Sequence, residues 1–227
     1  LIGEMLGKKR VTMVTLNNDF GKSLAAGFKE QAKNFGISII AEYEYSIRDR
    51  EFGPIISKIK SENPDAIYAS GYFFTAGPMV SQIRAAGLKQ PVIGQEGYDS
   101  QKFIEIAGSA SEGVLITTSL DRDSKNKETS SFISEFSKKA GYPADMVAAS
   151  THTAVLVIAE ALKKSVAGDS KALRDAIANT KITASTGEIS FNSLGEVRKD
   201  VQVQIVKNGN WHRHSVISDP ILLAPPE

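Results

Sequence analysis

The sequence predicts an α/β protein built on a parallel sheet with helices on both faces. Three observations carry this. Across residues 1–120 a strand-then-helix unit recurs about every 25 residues, the rhythm of parallel strands joined by crossover helices. The strand segments are short apolar runs, and β-branched residues head the first of them. The segments between them repeat apolar residues every three or four positions, the period of an amphipathic helix.

Taken in order, Val11–Leu16 is the first strand. Phe20, Leu24, Phe28, Ala32 and Phe35 then share one helical face, with Asp19 at the expected N-cap and Gly36 just past the end. Residues 37–41 form the second strand. Phe52, Ile55, Ile56 and Ile59 mark the second helix, stopped by Asn63-Pro64. Residues 66–70 are the third strand, and Met79, Val80, Ile83 and Ala86 a third helix closed by Gly87. Residues 91–94 are the fourth strand, followed by a short helix near Phe103–Ala107, and residues 113–118 are the fifth.

The polar stretch 119–127 reads as a crossing. Beyond it, Phe132, Ile133, Phe136 and Ala140 form a helix ended by Gly141. A longer helix runs from Val147 through Leu162 toward Gly168, and Asp169 or Ser170 caps another through Leu173 and Ile177. Residues 187–191 and 201–206 are strand-like. Asn208-Gly209 is a tight-turn dipeptide leading into Trp211, and the tail with Pro220, Pro225 and Pro226 is irregular. The expected organisation is one lobe over 1–120 and part of a second over 121–227, with crossings near 119–127 and after about 180. The opening residues, Leu1–Lys9, lack the ordered regions of a signal peptide and read as the tail of a helix. The chain is therefore expected to begin within a larger fold.

Bulk properties narrow the function. The 227 residues carry a net charge of +1, with 41% hydrophobic and 23% charged residues. Interspersed charge of that size argues against a nucleic-acid groove or a polybasic membrane patch. The absence of cysteine rules out disulfides, thiolate nucleophiles and Cys-ligated metals. No apolar run is long enough to span a bilayer as a helix. The phosphate-cradling glycine loops, the H-E-x-x-H zinc motif and the G-x-S-x-G nucleophile elbow are all missing. No cofactor is expected. His212 and His214 fall on one face of a strand and have no acidic or third histidine neighbour in sequence, so an exposed pair is favoured over a metal site. His152 either lines a cleft or, the favoured reading, is a partly buried structural histidine.

The binding candidates lie just past strand ends, where open α/β sheets receive ligands. Glu96 follows the fourth strand in a glycine-flanked loop, Gly94-Gln95-Glu96-Gly97. It is either a surface acid or the partner of a cationic ligand group. Tyr72 and Phe73 follow the third strand as core packing or as a wall for an apolar ligand part. Phe20 follows the first strand and suits wall and core equally. Asn18 beside it is a further candidate, as a donor to the ligand, whereas Asp19 is explained as a cap.

Four stretches resemble the type I periplasmic solute-binding proteins of branched-chain amino-acid transport. They are Asn18-Asp19-Phe20-Gly21, Pro64–Tyr72 with its Pro-Asp start and aromatic end, Ile93–Gly97, and Thr186–Gly195 followed by Val206–Trp211. The resemblance covers nearly all of this chain but only the later part of the family's length. It implies a two-lobed fold that captures an amino acid or related amphipathic solute and delivers it to a membrane permease. It further implies an extracytoplasmic protein, made with a signal peptide or lipid-anchored, monomeric when full length, and without catalysis or cofactor. A sensor ectodomain of the same fold is the nearest alternative, and an α/β enzyme a more distant one. By position, Glu96 corresponds to the acid that takes the ligand's ammonium and Tyr72 to an aromatic contact. Phe20 stands where the family often has Tyr or Trp, and His152-Thr153-Ala154 where it often has Tyr-Asp-Ala.

Overall fold

The computed structural model describes residues 1–166 and 168–223. The expected irregularity at Pro225 and Pro226 lies outside the described residues. The chain forms two compact units. One comprises Leu1–Ile116 with Ile205–Trp211; the other comprises Thr117–Gln204 and the segment from His212 onward.

In the first unit, strand β1 (Arg10–Leu16) leads into helix α1 (Asp19–Asn34), β2 (Ser38–Tyr45), α2 (Gly53–Glu62), β3 (Ala66–Ala69), α3 (Phe73–Ala85), β4 (Val92–Gly94), α4 (Gln101–Ala107) and β5 (Leu115–Thr118). β1 pairs in parallel with β2 on one side and β3 on the other, and β3–β4 and β4–β5 are also parallel. β3 and β4 are buried at every position, as expected of strands covered on both faces by crossover helices. Val14, Leu16, Ile67 and Ile116 of the strands pack with Ile56, Ile59, Met79 and Ile83 of the helices. Each such side chain contributes about 1.5–3 kcal/mol when fully buried, so this core holds the unit together.

Strand β9 (Val201–Lys207) and β10 (Asn210–Ile217) complete a seven-stranded sheet of order β10-β9-β5-β4-β3-β1-β2. Asn208 and Gly209 join them with φ of 51° and 72°, the two positive values that a two-residue hairpin turn requires. Trp211 then stacks on Phe103 at 5.7 Å, which in turn stacks on Tyr98 at 5.3 Å.

The order matters for function. The chain moves outward from β1 to β2, then crosses back to place β3 on the other flank of β1. The connections leaving β1 and β3 therefore diverge, and their carboxyl ends are the switch point at which open α/β sheets receive ligands.

The second unit holds α5 (Lys127–Ala140), α6 (Met146–Leu162), α7 (Ser170–Ala178) and a three-stranded antiparallel sheet of β6 (Ile182–Ala184), β7 (Gly187–Phe191) and β8 (Val197–Arg198). Its buried apolar residues form two small clusters, one around Leu120, Ala144 and Ala149 and one around Val157, Ala184 and Ile189. On α6, Val147, Val155, Ile158 and Leu162 remain exposed.

Three local expectations need correction. The N-cap of α1 is Asn18, not Asp19: Asn18 has extended backbone and its Oδ1 accepts from Gly21 N at 2.8 Å, while Asp19 is already helical. Helix α6 stops at Leu162 instead of reaching Gly168, because the chain turns at Lys163 and Lys164. Residues 1–9, expected as the tail of a helix, form turns and a bend with no helical residue.

Candidate functional site

The carboxyl edge of the sheet presents four consecutive loops, from β2, β1, β3 and β4 in spatial order. Each was positioned by ordinary local forces. Asn18, past β1, spends its Oδ1 on the cap of α1, and its Nδ2 has no partner among the described residues. That cap sets Phe20 in the first turn of α1.

Past β3, Tyr72 is the N-cap residue of α3, and its N–H donates to Thr75 Oγ1 at 3.3 Å. Beneath it, Tyr45 Oη donates to Ser70 O at 2.8 Å and lies 3.2 Å from Thr75 Oγ1. Burial pushes the Tyr45 phenol up to about 12, so it stays a neutral donor.

Phe20 and Tyr72 meet past the carboxyl ends of β1 and β3. Their rings stack with centroids 5.1 Å apart and planes 10° from parallel. Phe74 continues the stack against Tyr72 at 5.6 Å, and the Arg50 guanidinium, from the loop past β2, stands 5.9 Å from the Phe74 centroid. Phe73 takes no part in the stack. It is half-buried, packs against the core and meets Phe74 edge-on at 5.3 Å. Offset-stacked pairs of this kind contribute about 0.5–1.5 kcal/mol beyond their burial, enough to hold a flat apolar wall in place.

Past β4, Glu96 opens a single helical turn, Glu96–Tyr98. The turn is held against the β3 loop: Gly97 N donates to Gln95 Oε1 at 3.0 Å, and Gln95 Nε2 donates to Gly71 O at 3.2 Å. Glu96 is exposed; its backbone carbonyl accepts from Asp99 N at 3.0 Å, while its carboxylate has no hydrogen bond or ion pair among the described residues. Its charge reaches Tyr68, whose phenol is pushed up to about 12 by burial first and by Glu96 second. Tyr68 in turn stacks on Phe28 of α1 at 4.3 Å.

The structure thus brings Phe20 and Tyr72 into contact, places Asn18 just before Phe20 in the β1 loop, and sets Glu96 one strand along. Phe74 and Arg50 join them without having been signalled by sequence. Phe74 was concealed in an aromatic triplet, and Arg50 in a charged loop whose neighbours in space depend on strand order.

The histidines stand elsewhere, in the second unit. His152 Nδ1 lies 3.1 Å from Ser185 Oγ, and its ring stacks on Phe132 at 4.8 Å. His212 Nδ1 is 3.5 Å from Asp123 Oδ1, and His214 meets Ser215 Oγ. Among the described residues no three His, Cys, Asp or Glu gather in a way that could hold a metal ion, and no helix is long and apolar enough to cross a membrane. An aromatic wall beside an unpaired carboxylate can bind and orient a small molecule; nothing in it joins a nucleophile to a base.

Comparison with known proteins bears on this edge. The family described as "Periplasmic binding protein" matches residues 2–210. The leucine-, isoleucine-, valine-, threonine- and alanine-binding protein of Pseudomonas aeruginosa is 27% identical over 215 residues, 93% of this chain and 56% of that protein. A leucine-binding protein from Thermotoga maritima superposes with a TM-score of 0.86 at 28% identity, covering 96% of this chain and 63% of the other. A solute-binding protein from R. palustris in complex with benzoate shares the fold, with a TM-score of 0.85 at 22% identity over 93% of this chain and 59% of its own. The chain spans between about half and two thirds of the length of these proteins.

Proposed function

Because the chain belongs to the periplasmic binding protein family, we propose that it is the solute-capturing part of a transport system, taking an amino acid or related amphipathic solute. Its fold is the expected type I α/β fold of such proteins. The relatives it matches are binding proteins. In this reading the ligand lies on the carboxyl edge of the sheet. Phe20 and Tyr72 pack on its apolar part, Glu96 takes its ammonium, and Asn18 donates through Nδ2. Closure by a second body buries it, and the loaded form docks on a membrane permease outside the cytoplasm. No bond is made or broken.

The observation that supports this best is Glu96 itself: an unpaired carboxylate one strand from an aromatic wall at a topological switch point. A carboxylate covered by a closing body needs a cation to offset its lost hydration, and an ammonium group provides one.

The test is Glu96→Gln with leucine and phenylalanine as calorimetric titrants. The substitution keeps the shape and removes the charge. Affinity is expected to fall at least tenfold, about 1.4 kcal/mol. An unchanged dissociation constant removes Glu96 from the site. Recovery of the titrant unaltered after incubation separates capture from turnover.

A further inference from the structure

We propose that Arg50 is a specificity residue, receiving the carboxylate of an aromatic solute whose ring lies along the Phe20–Tyr72–Phe74 stack. This rests on the capture reading and narrows its class of ligand.

Four observations place Arg50 there. First, it sits in the loop past β2, and β2 neighbours β1 in the sheet, so this loop borders the β1 loop that leads into Phe20 at the start of α1. Second, the loop is fixed. Gln82 of α3 donates through Nε2 to Arg50 O at 2.7 Å and accepts through Oε1 from Phe52 N at 2.8 Å. Third, the guanidinium is oriented by Nη1, which donates to Ile47 O at 2.9 Å and Asp49 O at 2.8 Å. Fourth, it stands over Phe74 at the end of a continuous ring stack.

What is left over is informative. Arg50 has acidic neighbours on both sides in sequence, Asp49 and Glu51, yet among the described residues no carboxylate pairs with it. Asp49 is engaged elsewhere, its Oδ2 accepting from Ser46 N at 2.8 Å. The Nε–Nη2 edge of Arg50 therefore stays free, and that edge is the planar fork that matches a carboxylate in bidentate fashion. A guanidinium already held by Nη1 loses less freedom on binding than a free side chain.

Strand spacing decides which carboxylate. Arg50 lies past β2 and Glu96 past β4, three strand steps apart, or roughly 14 Å at about 4.8 Å per step. That is the spacing of the loops that carry them, and an α-amino acid holds both of its charges on one carbon. Arg50 and Glu96 therefore select different groups. Glu96 answers an amine close to β4. Arg50 answers an acid carried on a flat body long enough to lie on the rings.

The experiment titrates the chain, its Arg50→Gln variant and its Glu96→Gln variant with benzoate and with benzylamine, read by NMR shifts of the Phe20 and Tyr72 ring protons. Trp211 fluorescence checks that each variant is folded. Arg50→Gln is expected to weaken benzoate by at least about tenfold, the low end for a lost charged hydrogen bond, and to leave benzylamine within about twofold. Arg50→Lys, which keeps the charge and loses the fork, is expected to fall between the two. Equal benzoate affinity in the parent and Arg50→Gln overturns the assignment and leaves the capture reading standing. An equal loss of both probes also overturns it, and points to packing on Phe74 alone. If neither probe binds the parent chain, the assignment is overturned, and the leucine and phenylalanine titrations decide the capture reading separately.

Discussion

Gly97 offers the sharpest test of how the site is held. A methyl group added there would lie 2.1 Å from the Gly71 carbonyl oxygen. Ordinary contact needs well over 3 Å, so one loop must retreat by more than an ångström. Neither can do so cheaply. The obstacle is backbone, and Gln95 ties the two loops together through Gly71 O and Gly97 N. Forced overpacking of this kind costs about 1–3 kcal/mol, and the loss of the Gln95 bonds brings Gly97→Ala toward the upper end. Trp211 is the chain's single tryptophan and is buried in the same unit, so its fluorescence in a urea titration follows that unit. The midpoint is expected to fall clearly. Gly27→Ala is the internal control: it lies inside α1 with nothing near its missing methyl, and should raise stability by about 0.5–1 kcal/mol. An unchanged or higher midpoint for Gly97→Ala would refute the close approach of the β3 and β4 loops, and with it the placement of Glu96.

Two further outcomes follow from buried and hydrogen-bonded polar groups. The Tyr98 hydroxyl is fully buried with no partner among the described residues; Tyr98→Phe, which removes the unsatisfied group and keeps the ring, should leave the urea midpoint equal or higher, and a loss above about 1 kcal/mol would mean that the hydroxyl is engaged. The Asp65 carboxylate accepts from the N–H groups of Arg10 at 2.9 Å and Lys9 at 3.2 Å, which hold its pKa below the usual 3.8. Its stabilising effect is therefore complete above about 3.8 and is lost as pH falls through the depressed folded value. Asp65→Asn should flatten the decline of the midpoint below about pH 4, and an identical acid profile would show that the bonds are not made.

What the sequence made legible was local. Gly36 follows α1 with a φ of 60°, Gly141 ends α5 in the left-handed conformation, and Asn63 does so for α2. These signals act through a few adjacent dihedral angles, so they survive reading one residue at a time. The N-cap of α1 shows where such reading fails. Asn18 and Asp19 are both good caps, and the choice was settled by where β1 releases the chain. Strand β2 runs to Tyr45 instead of stopping near residue 41 because it pairs along the whole of β1, with one register shift between Val11 and Thr12. The alternation Glu42-Tyr43-Glu44-Tyr45 carries the strand period that the reading to residue 41 passed over.

The site divides the same way. Glu96, Tyr72 and Phe20 each announced themselves as unusual residues past an apolar run, because the end of a strand is a local feature. That Phe20 touches Tyr72 was invisible, since 52 positions separate them and only the crossing of β3 to the far side of β1 makes them neighbours. Arg50 was hidden for the same reason. It reads as one charge among Arg48, Asp49 and Glu51 until Gln82, a helix away, fixes its loop and Phe74 is placed beneath it. A lone charge thus gains meaning from strand order, which sets whether Arg50 and Glu96 serve one ligand group or two. With β2 and β4 on opposite flanks of the β1–β3 pair, the loops that carry the two charges are three strand steps apart. In the proposed site, specificity is consequently a matter of topology before it is one of side-chain identity.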